Sequence, residues 1–464
     1  MSEEMKALRE QLLRNDKNGY DTLDEAQLAE MEAYCADYKA FLNEGKTERL
    51  SARAAIAAAE ERGFVQYKRG MTLKAGDKVY TCNRGKGLML AVIGKESLAE
   101  GAQIAAAHID SPRLDLKPTP LYEDSEMAYF KTHYYGGIRK YQWVTIPLQL
   151  RGVVAKKDGS VVDVCIGEAD EPQLVITDLL PHLGGEQGRK PLNEAVPGET
   201  LNLLVGSRPI GDSEDKDRVK LHVMKRLHDK YGITESDFAS AELEAVPAAE
   251  AVDIGIDGSM IGSYGHDDRV CGYAALRALL DIETPDKTAV CVLADKEEIG
   301  SMGVTGMQSA AFDAFMSDLC DGQNVPLKAC FENAFCLSAD VTAAYDPNFA
   351  DVYEKKNAAF VNYGVGICKY TGARGKSGSS DANAETVAYV RAVLDGAGVR
   401  WQICELGKID AGGGGTVAQY MANRNIATLD AGVPVLSMHA PFEVVAKVDC
   451  YEMYRACKAL YEAR

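Results

Sequence analysis

The sequence is short of bases. Its 51 lysines and arginines face 69 acids in 464 residues, a formal charge of -18. Nucleic-acid affinity rests on basic side chains neutralising phosphates, so nucleic acid is excluded as a main partner. An anionic membrane surface is disfavoured on the same ground. Long hydrophobic runs are missing too, and none approaches the ~20 apolar residues of a membrane span. The opening Met1-Ser2-Glu3-Glu4 is acidic with no apolar stretch behind it, so no secretory leader is expected. The twelve cysteines are scattered singly from Cys35 to Cys457, with no CxxC pair. Reduced thiols and a cytoplasmic location are the expectation.

What remains is ordinary globular material. Hydrophobic residues make up 46% and charged residues 26%, enough to build a large core. At roughly 150 residues per domain, the length allows two or three domains. The first sixty residues read as helix. Thr22 and Glu25 fit a capping box, Leu28, Met31, Cys35, Tyr38 and Leu42 follow at helical spacing, and Gly45 stops the run. A second helix is expected from Ser51 to Glu61, ending at Gly63.

Short apolar strands begin near Lys78. Between 117 and 245 the texture is that of half-buried strands, with Asp158-Gly159 as a two-residue hairpin turn and one helix near DRVKLHVMKRLHDKYG. After 246 strands alternate with helices again. TAVCVLAD, AFCLSAD, VGICKY, RWQICEL and VPVLSMHA read as strands, and the chain closes on a helix at VDCYEMYRACKALYEA. The pattern predicts an α/β fold, a mostly parallel sheet flanked by helices, with an inserted β-rich domain. The main domain would take 1–116 plus 246–464, and the insertion 117–245.

The chemistry lies where apolar strands end on polar residues, because open α/β sheets bind ligands beyond the carboxyl ends of their strands. AQIAAA ends in His108-Ile109-Asp110. VCVLAD runs into Lys296-Glu297-Glu298. FCLSA ends in Asp340, and VPVLSM in His439. Asp267 opens a helix in Gly265-His266-Asp267-Asp268-Arg269. Singly, these read as a structural histidine, a solvated turn and a helix cap. Together they place two histidines and three carboxylates at the ends of buried runs. Burying that many carboxylates is costly unless cations neutralise them, and a two-metal site accounts for all of them. Asp110 stands where it can take the second N–H of a metal-bound His108. Imidazole and carboxylate without thiolate suit zinc, manganese or cobalt.

At these residues the chain resembles the aspartyl-aminopeptidase family of metallopeptidases. The segments AHIDSPRLDLKP, GHDDRVCGYAALRAL, DKEEIGS, SADVTAAYDPN and PVLSMHAPFEV carry the likeness in family order, and it covers essentially the whole chain. The resemblance implies a zinc-exopeptidase-like, phosphorylase/hydrolase-like fold. It implies two divalent ions per subunit, most simply zinc, bridged by Asp267. One would be held also by His108 and Asp340, the other by Glu298 and His439. Glu297 would be the general base and Asp110 its catalytic companion beside His108. Peptides with a free α-amine are the implied substrates. The family also implies a homo-oligomer, a tetrahedral dodecamer built of dimers through the inserted domain, with an inserted-domain histidine reaching a neighbouring active site. His182 is nominated for that role.

The likeness breaks at two positions. Relatives carry two further histidines where this chain has Ala343 and Asp346, which puts acidic substrate specificity in question. A cation for an acidic side chain would have to come from Arg374 or Lys376, in GARGKSGSSD. Gly412 to Gly415 lack the further glycine and the GK[ST] ending of phosphate loops, and read as close backbone approach beside the site. No GxSxG elbow surrounds Ser377, Ser379 or Ser380.

Three functions remain in view. The first is a metal-dependent aminopeptidase. The second is a dimetal amidohydrolase that deacylates small molecules, which would not need a free α-amine. The third is a self-assembling scaffold with secondary chemistry, which the intact ligand set and Glu297 speak against.

Overall fold

The computed structural model describes residues 2–14, 16–168 and 170–464. Its centre is a nine-stranded sheet. In spatial order the strands are Val65–Gln66, Lys78–Asn83, Gly87–Val92, Thr288–Ala294, Ala102–His108, Phe335–Ala339, Ala427–Gly432, Val365–Cys368 and Trp401–Ile403. The four middle strands, Thr288–Ala294 to Ala427–Gly432, run parallel. Three neighbouring pairs towards the edges are antiparallel, so the sheet is mixed.

Both faces of the middle strands are buried, which explains their continuous apolar sequence. Alternate residues go to opposite sides. Ala105, Ala107, Cys291 and Leu293 join a core with the helices Glu25–Glu44, His266–Leu280 and Lys447–Glu462. Ile104, Ala106, Val290 and Val292 join a second core with Ala311–Asp321 and Leu327–Asn333.

A second sheet is wholly antiparallel and six-stranded. Its order is Val161–Ile166, Leu148–Ala155, Ala241–Pro247, Arg113–Asp124, Met127–Tyr135 and Leu203–Gly206. Its strands span Arg113 to Pro247 and close a core of their own around Phe130, Trp143 and Phe238. The helix Arg218–Tyr231 adds Val219 and Leu227 to it.

A third sheet, of five short strands, was not legible in the pattern. It takes Pro434–Leu436, which had read as part of the main sheet. The main-sheet position belongs to Ala427–Gly432 instead. That strand carries Thr428, Asp430 and Gly432, so no apolar run marks it. Its buried Asp430 is satisfied by the Thr416 hydroxyl, which donates to it at 2.7 Å.

Two local readings shift. The helix Glu25–Glu44 is capped by Asp24, with Gln27 completing the box, while the Thr22 hydroxyl donates to Gly19. A carboxylate two residues on is a better cap than the threonine. The strands Leu148–Ala155 and Val161–Ile166 are joined by five residues, 156–160, with Gly159 at φ +88. Asp158-Gly159 therefore lies inside a wider loop. The terminators Gly45 and Gly63 fall where the sequence puts them, next to the ends of their helices.

Candidate metal centre

The parallel strands deliver their last residues to one edge. His108 closes its strand opposite Ala294, and Ser338 pairs with Ala106, so Asp340 arrives level with His108. After Ala294 the chain turns at Lys296, φ +69, into the short turn Glu297–Ile299. The fifth element is the helix His266–Leu280. Gly265 caps it at φ +77, and Asp267 and Asp268 keep non-helical backbone before the regular turns begin. Asp267 is thus free to face the sheet edge instead of capping the helix. His439 comes from a turn after Pro434–Leu436 of the small sheet, with Ser437 at φ +59 and His439 at φ +65.

Two groups of side chains meet there. His108, Asp267 and Asp340 offer ligand atoms within 4.8 Å of one another, and so do Asp267, Glu298 and His439. Asp267 belongs to both. Its Oδ1 lies 3.1 Å from His108 Nε2, and its Oδ2 lies 3.2 Å from His439 Nε2. His108 Nε2 stands 4.0 Å from Asp340 Oδ1, and His439 Nε2 stands 3.6 Å from Glu298 Oε2. Ligand atoms sharing one tetrahedral zinc lie roughly 3–4 Å apart, given bonds of about 2 Å. Glu298 Oε1 is buried with no hydrogen-bond partner. Donor types, spacing and this orphaned oxygen fit divalent ions.

The electrostatics agree. Burial alone would lower the His108 pKa, yet Asp110 and Asp267 hold it well above the usual histidine range. Burial pushes Glu298 and Asp340 far up, and Glu297 up to about 7. Four carboxylates here face two imidazoles, and among the described residues no lysine or arginine lines the cleft. Carboxylates collected without cations are what a metal offsets.

A second layer holds the first. His108 Nδ1 is 3.0 Å from the Asp110 carbonyl and 3.3 Å from its Oδ1. Asp110 Oδ1 accepts the Glu297 N–H at 3.1 Å, and Oδ2 accepts the Glu298 N–H at 3.2 Å. Glu443 joins the other side, accepting the N–H groups of Asp267 and His439. Burial and the neighbouring Asp267 push its carboxyl up to about 8. Tyr135 donates to Asp110 at 2.7 Å, and the Gly137 carbonyl lies 2.8 Å from His439 Nδ1. Sequence reasoning missed these three residues. Glu443 alone left a trace, an acid inside the apolar PFEVV; Tyr135 and Gly137 left none.

A cleft of about 410 Å³ opens over the cluster. Glu297 lines it beside His108, Asp267, Glu298, Asp340 and His439. Gly413, Gly414 and Gly415 line its far wall. A Cβ on Gly413 would stand 2.4 Å from Ala373 Cα, so that wall requires glycine for close backbone approach. The other nominated residues stay outside the cleft lining. Arg374 and Lys376 lie on an exposed loop, in a depression that shares Thr371, Leu406 and Gly413 with the cleft. The Lys376 ammonium already meets Asp381 at 3.1 Å and the Tyr370 ring at 3.9 Å. His182 is exposed in a turn. Ala343 is a strand residue of the small sheet, and Asp346 caps the turn Pro347–Val352.

An α/β fold that gathers such side chains at the carboxyl edge of its parallel strands defines a metal-dependent hydrolase. Comparison with known proteins narrows the class. The family described as Aminopeptidase I zinc metalloprotease (M18) matches residues 41–461. A probable M18 family aminopeptidase 1 from Clostridium acetobutylicum is 49% identical over 450 residues, 95% of this chain and 97% of the relative. The crystal structure of an M18 aminopeptidase from Thermotoga maritima is similar at a TM-score of 0.92 and 42% identity, over 97% of this chain and 99% of that one. That of aminopeptidase I from Clostridium acetobutylicum gives 0.91 and 46%, over 97% and 100%. The chain belongs to the M18 family: it is a metalloaminopeptidase, a hydrolase that works as an exopeptidase.

Proposed function

We propose that the enzyme seats two divalent ions, zinc in the simplest case, on either side of Asp267. His108 and Asp340 complete one site, Glu298 and His439 the other. The observation that carries this is the division of labour in Asp267, one oxygen towards each imidazole at 3.1 and 3.2 Å. The accompanying fold reading is the zinc-exopeptidase-like, phosphorylase/hydrolase-like arrangement. The inserted domain is the 117–245 segment, built on the antiparallel sheet whose strands run from Arg113 to Pro247.

Ions held there supply a polarised scissile carbonyl and a water of lowered pKa. The chain's own residues do the rest. Glu297, its Oε2 3.9 Å from His108 Nε2, takes the proton of the attacking water and returns it to the leaving amine. Asp110 fixes the His108 ring and the backbone under Glu297 and Glu298. A vacant side of the ion pair would hold the substrate's free, neutral α-amine, which limits attack to the first peptide bond.

Val341, Leu406, Met438 and Cys368 line the cleft beside the cluster and are the wall that the side chain of the substrate's first residue would meet. With no cation on that wall, neutral residues are the expected preference. Arg374 and Lys376 line the adjoining depression, and Lys376 would serve an acidic residue only by giving up Asp381.

Self-association is the expected state. Leu179, Leu180 and Leu183 are each more than half exposed, a patch that partner surface covers in assemblies. His182 lies among them on the same exposed turn, and it is our nominee for the inserted-domain histidine that the family likeness has reach a neighbouring cleft. A tetrahedral dodecamer built of dimers is the assembly we infer, in the cytoplasm, where twelve unpaired cysteines stay reduced.

The deciding experiment is turnover of Asp, Glu, Leu, Ala and Lys anilides after chelation, with zinc, manganese or cobalt restored and N-acetylated controls. Metal-dependent release from free-amine substrates, fastest with Leu or Ala, is the expected result. Turnover of acetylated substrates would replace the reading with deacylation. An acidic preference lost in Arg374→Ala or Lys376→Ala would return those cations to the substrate site.

A further inference from the structure

The antiparallel sheet does more than stand beside the site. Its strand Met127–Tyr135 leads into a segment, Tyr135-Gly136-Gly137, that touches Asp110 beneath the cluster and the Glu298–His439 half of it. The Tyr135 hydroxyl donates to Asp110 Oδ2 at 2.7 Å. The Gly137 carbonyl lies 2.8 Å from His439 Nδ1. There is no slack between them. A Cβ on Gly136 would be 3.3 Å from Glu298 Cβ, and one on Gly137 would be 3.2 Å from His439 Nδ1.

Tyr135 is itself fixed. The residue is 8% exposed, and the Arg113 guanidinium lies over the face of its ring at 3.8 Å. Arg113 is held by Asp115 at 2.8 Å, Glu244 at 3.3 Å and Glu48 at 3.4 Å. The hydroxyl therefore approaches Asp110 from a rigid platform. Asp110 is fully buried, and one carboxylate serves the His108 ring and the N–H groups of Glu297 and Glu298. Its orientation sets theirs, and the Tyr135 hydroxyl is the contact from the second sheet that fixes it.

We infer that Tyr135 is a positioning residue of the peptidase reaction, acting through Asp110 on His108, Glu297 and Glu298. This rests on the two-ion reading above. It makes the second sheet part of the catalytic apparatus within one chain. Outer residues of this kind shift metal affinity or activity by about 10–100-fold when removed.

Tyr135→Phe removes only the hydroxyl. The expected result is a kcat lower by about 10–100-fold with KM near the wild-type value. Zinc affinity, measured by competition with a chromogenic chelator, should weaken by about tenfold. The melting temperature should stay close to that of the wild type, and Tyr134→Phe, at an exposed neighbour, should change none of these. A double-mutant cycle supplies the distinction from a structural role. On an Asp110→Asn background, Tyr135→Phe should cost little more, because its effect runs through Asp110. Wild-type kcat and zinc affinity in Tyr135→Phe would overturn the inference. So would multiplying effects in the double variant, or a collapse of the melting temperature. If the wild type turns over no free-amine substrate, the peptidase reading fails, while the zinc-affinity arm still reports on Tyr135.

Discussion

Glu443 accepts the backbone N–H of Asp267 through Oε2 at 3.1 Å, while its Oε1 accepts that of His439 at 2.7 Å. One buried carboxylate thus sets the spacing between the shared ligand and a ligand of the second cluster. Glu443→Gln replaces one acceptor oxygen with a donor facing an N–H. Zinc affinity should weaken by about 10–100-fold, read by chelator competition, with the loss concentrated in the His439 cluster.

Asp267 and Asp340 should differ in what their loss removes. Asp267 belongs to both ligand groups, and Asp340 to one. Asp267→Ala should carry almost no zinc after dialysis. Asp340→Ala should retain about half the wild-type content, because three-ligand sites tolerate the loss of one carboxylate poorly but leave the neighbour intact. Elemental analysis of the purified proteins checks both.

Glu297 is expected to separate chemistry from binding. It lines the cleft but belongs to neither ligand group. Glu297→Gln should keep its zinc and its assembly while kcat falls by about 10²–10⁴-fold. Steady-state kinetics beside elemental analysis and sedimentation test this. Loss of zinc in the variant would make Glu297 a ligand instead.

Glu48 governs acid stability where the two large sheets meet. It is fully buried, 3.0 Å from the Lys86 ammonium and 3.4 Å from Arg113. Burial raises its carboxyl, but Arg113 and Lys86 outweigh that and bring it down to about 2. An unfolded glutamate titrates near about 4.3. The folded value is the lower one, so this contribution is complete above the unfolded pKa and is lost as pH falls through the folded one. Glu48→Gln should lose about 1–3 kcal/mol at pH 7, since Lys86 keeps Glu242 and Arg113 keeps Asp115 and Glu244 while each loses its buried carboxylate partner. The gap to the wild type should narrow below about pH 4.3. Denaturant titrations across that range measure it.

Part of the site was legible because it obeys local rules. A strand buried on both faces must read as continuous apolar residues, so the polar residue that ends it stands out. His108, Glu297, Glu298 and Asp340 announce themselves in this way. Asp267 was visible as an acid opening a helix, and the structure adds that it leaves the cap position to Gly265. The Ala427–Gly432 strand was hidden for the converse reason. Its Asp430 is satisfied by Thr416, a partner fourteen residues away, so it needs no apolar run to be buried.

The sequence by itself determined the kind of chemistry: which side chains end the strands, that they are imidazoles and carboxylates, and that such acids need cations. Those properties follow from residue type and a period of two along a strand. Tertiary structure alone decided how the pieces are held. His439 Nδ1 is fixed by a carbonyl 302 residues earlier, and Asp110 by a hydroxyl from another sheet. The third sheet, the Glu443 bridge and the Tyr135 contact depend on which segments become neighbours. A hydrogen bond between distant segments leaves no periodic mark in either, because each partner reads locally as an ordinary tyrosine, glycine or glutamate.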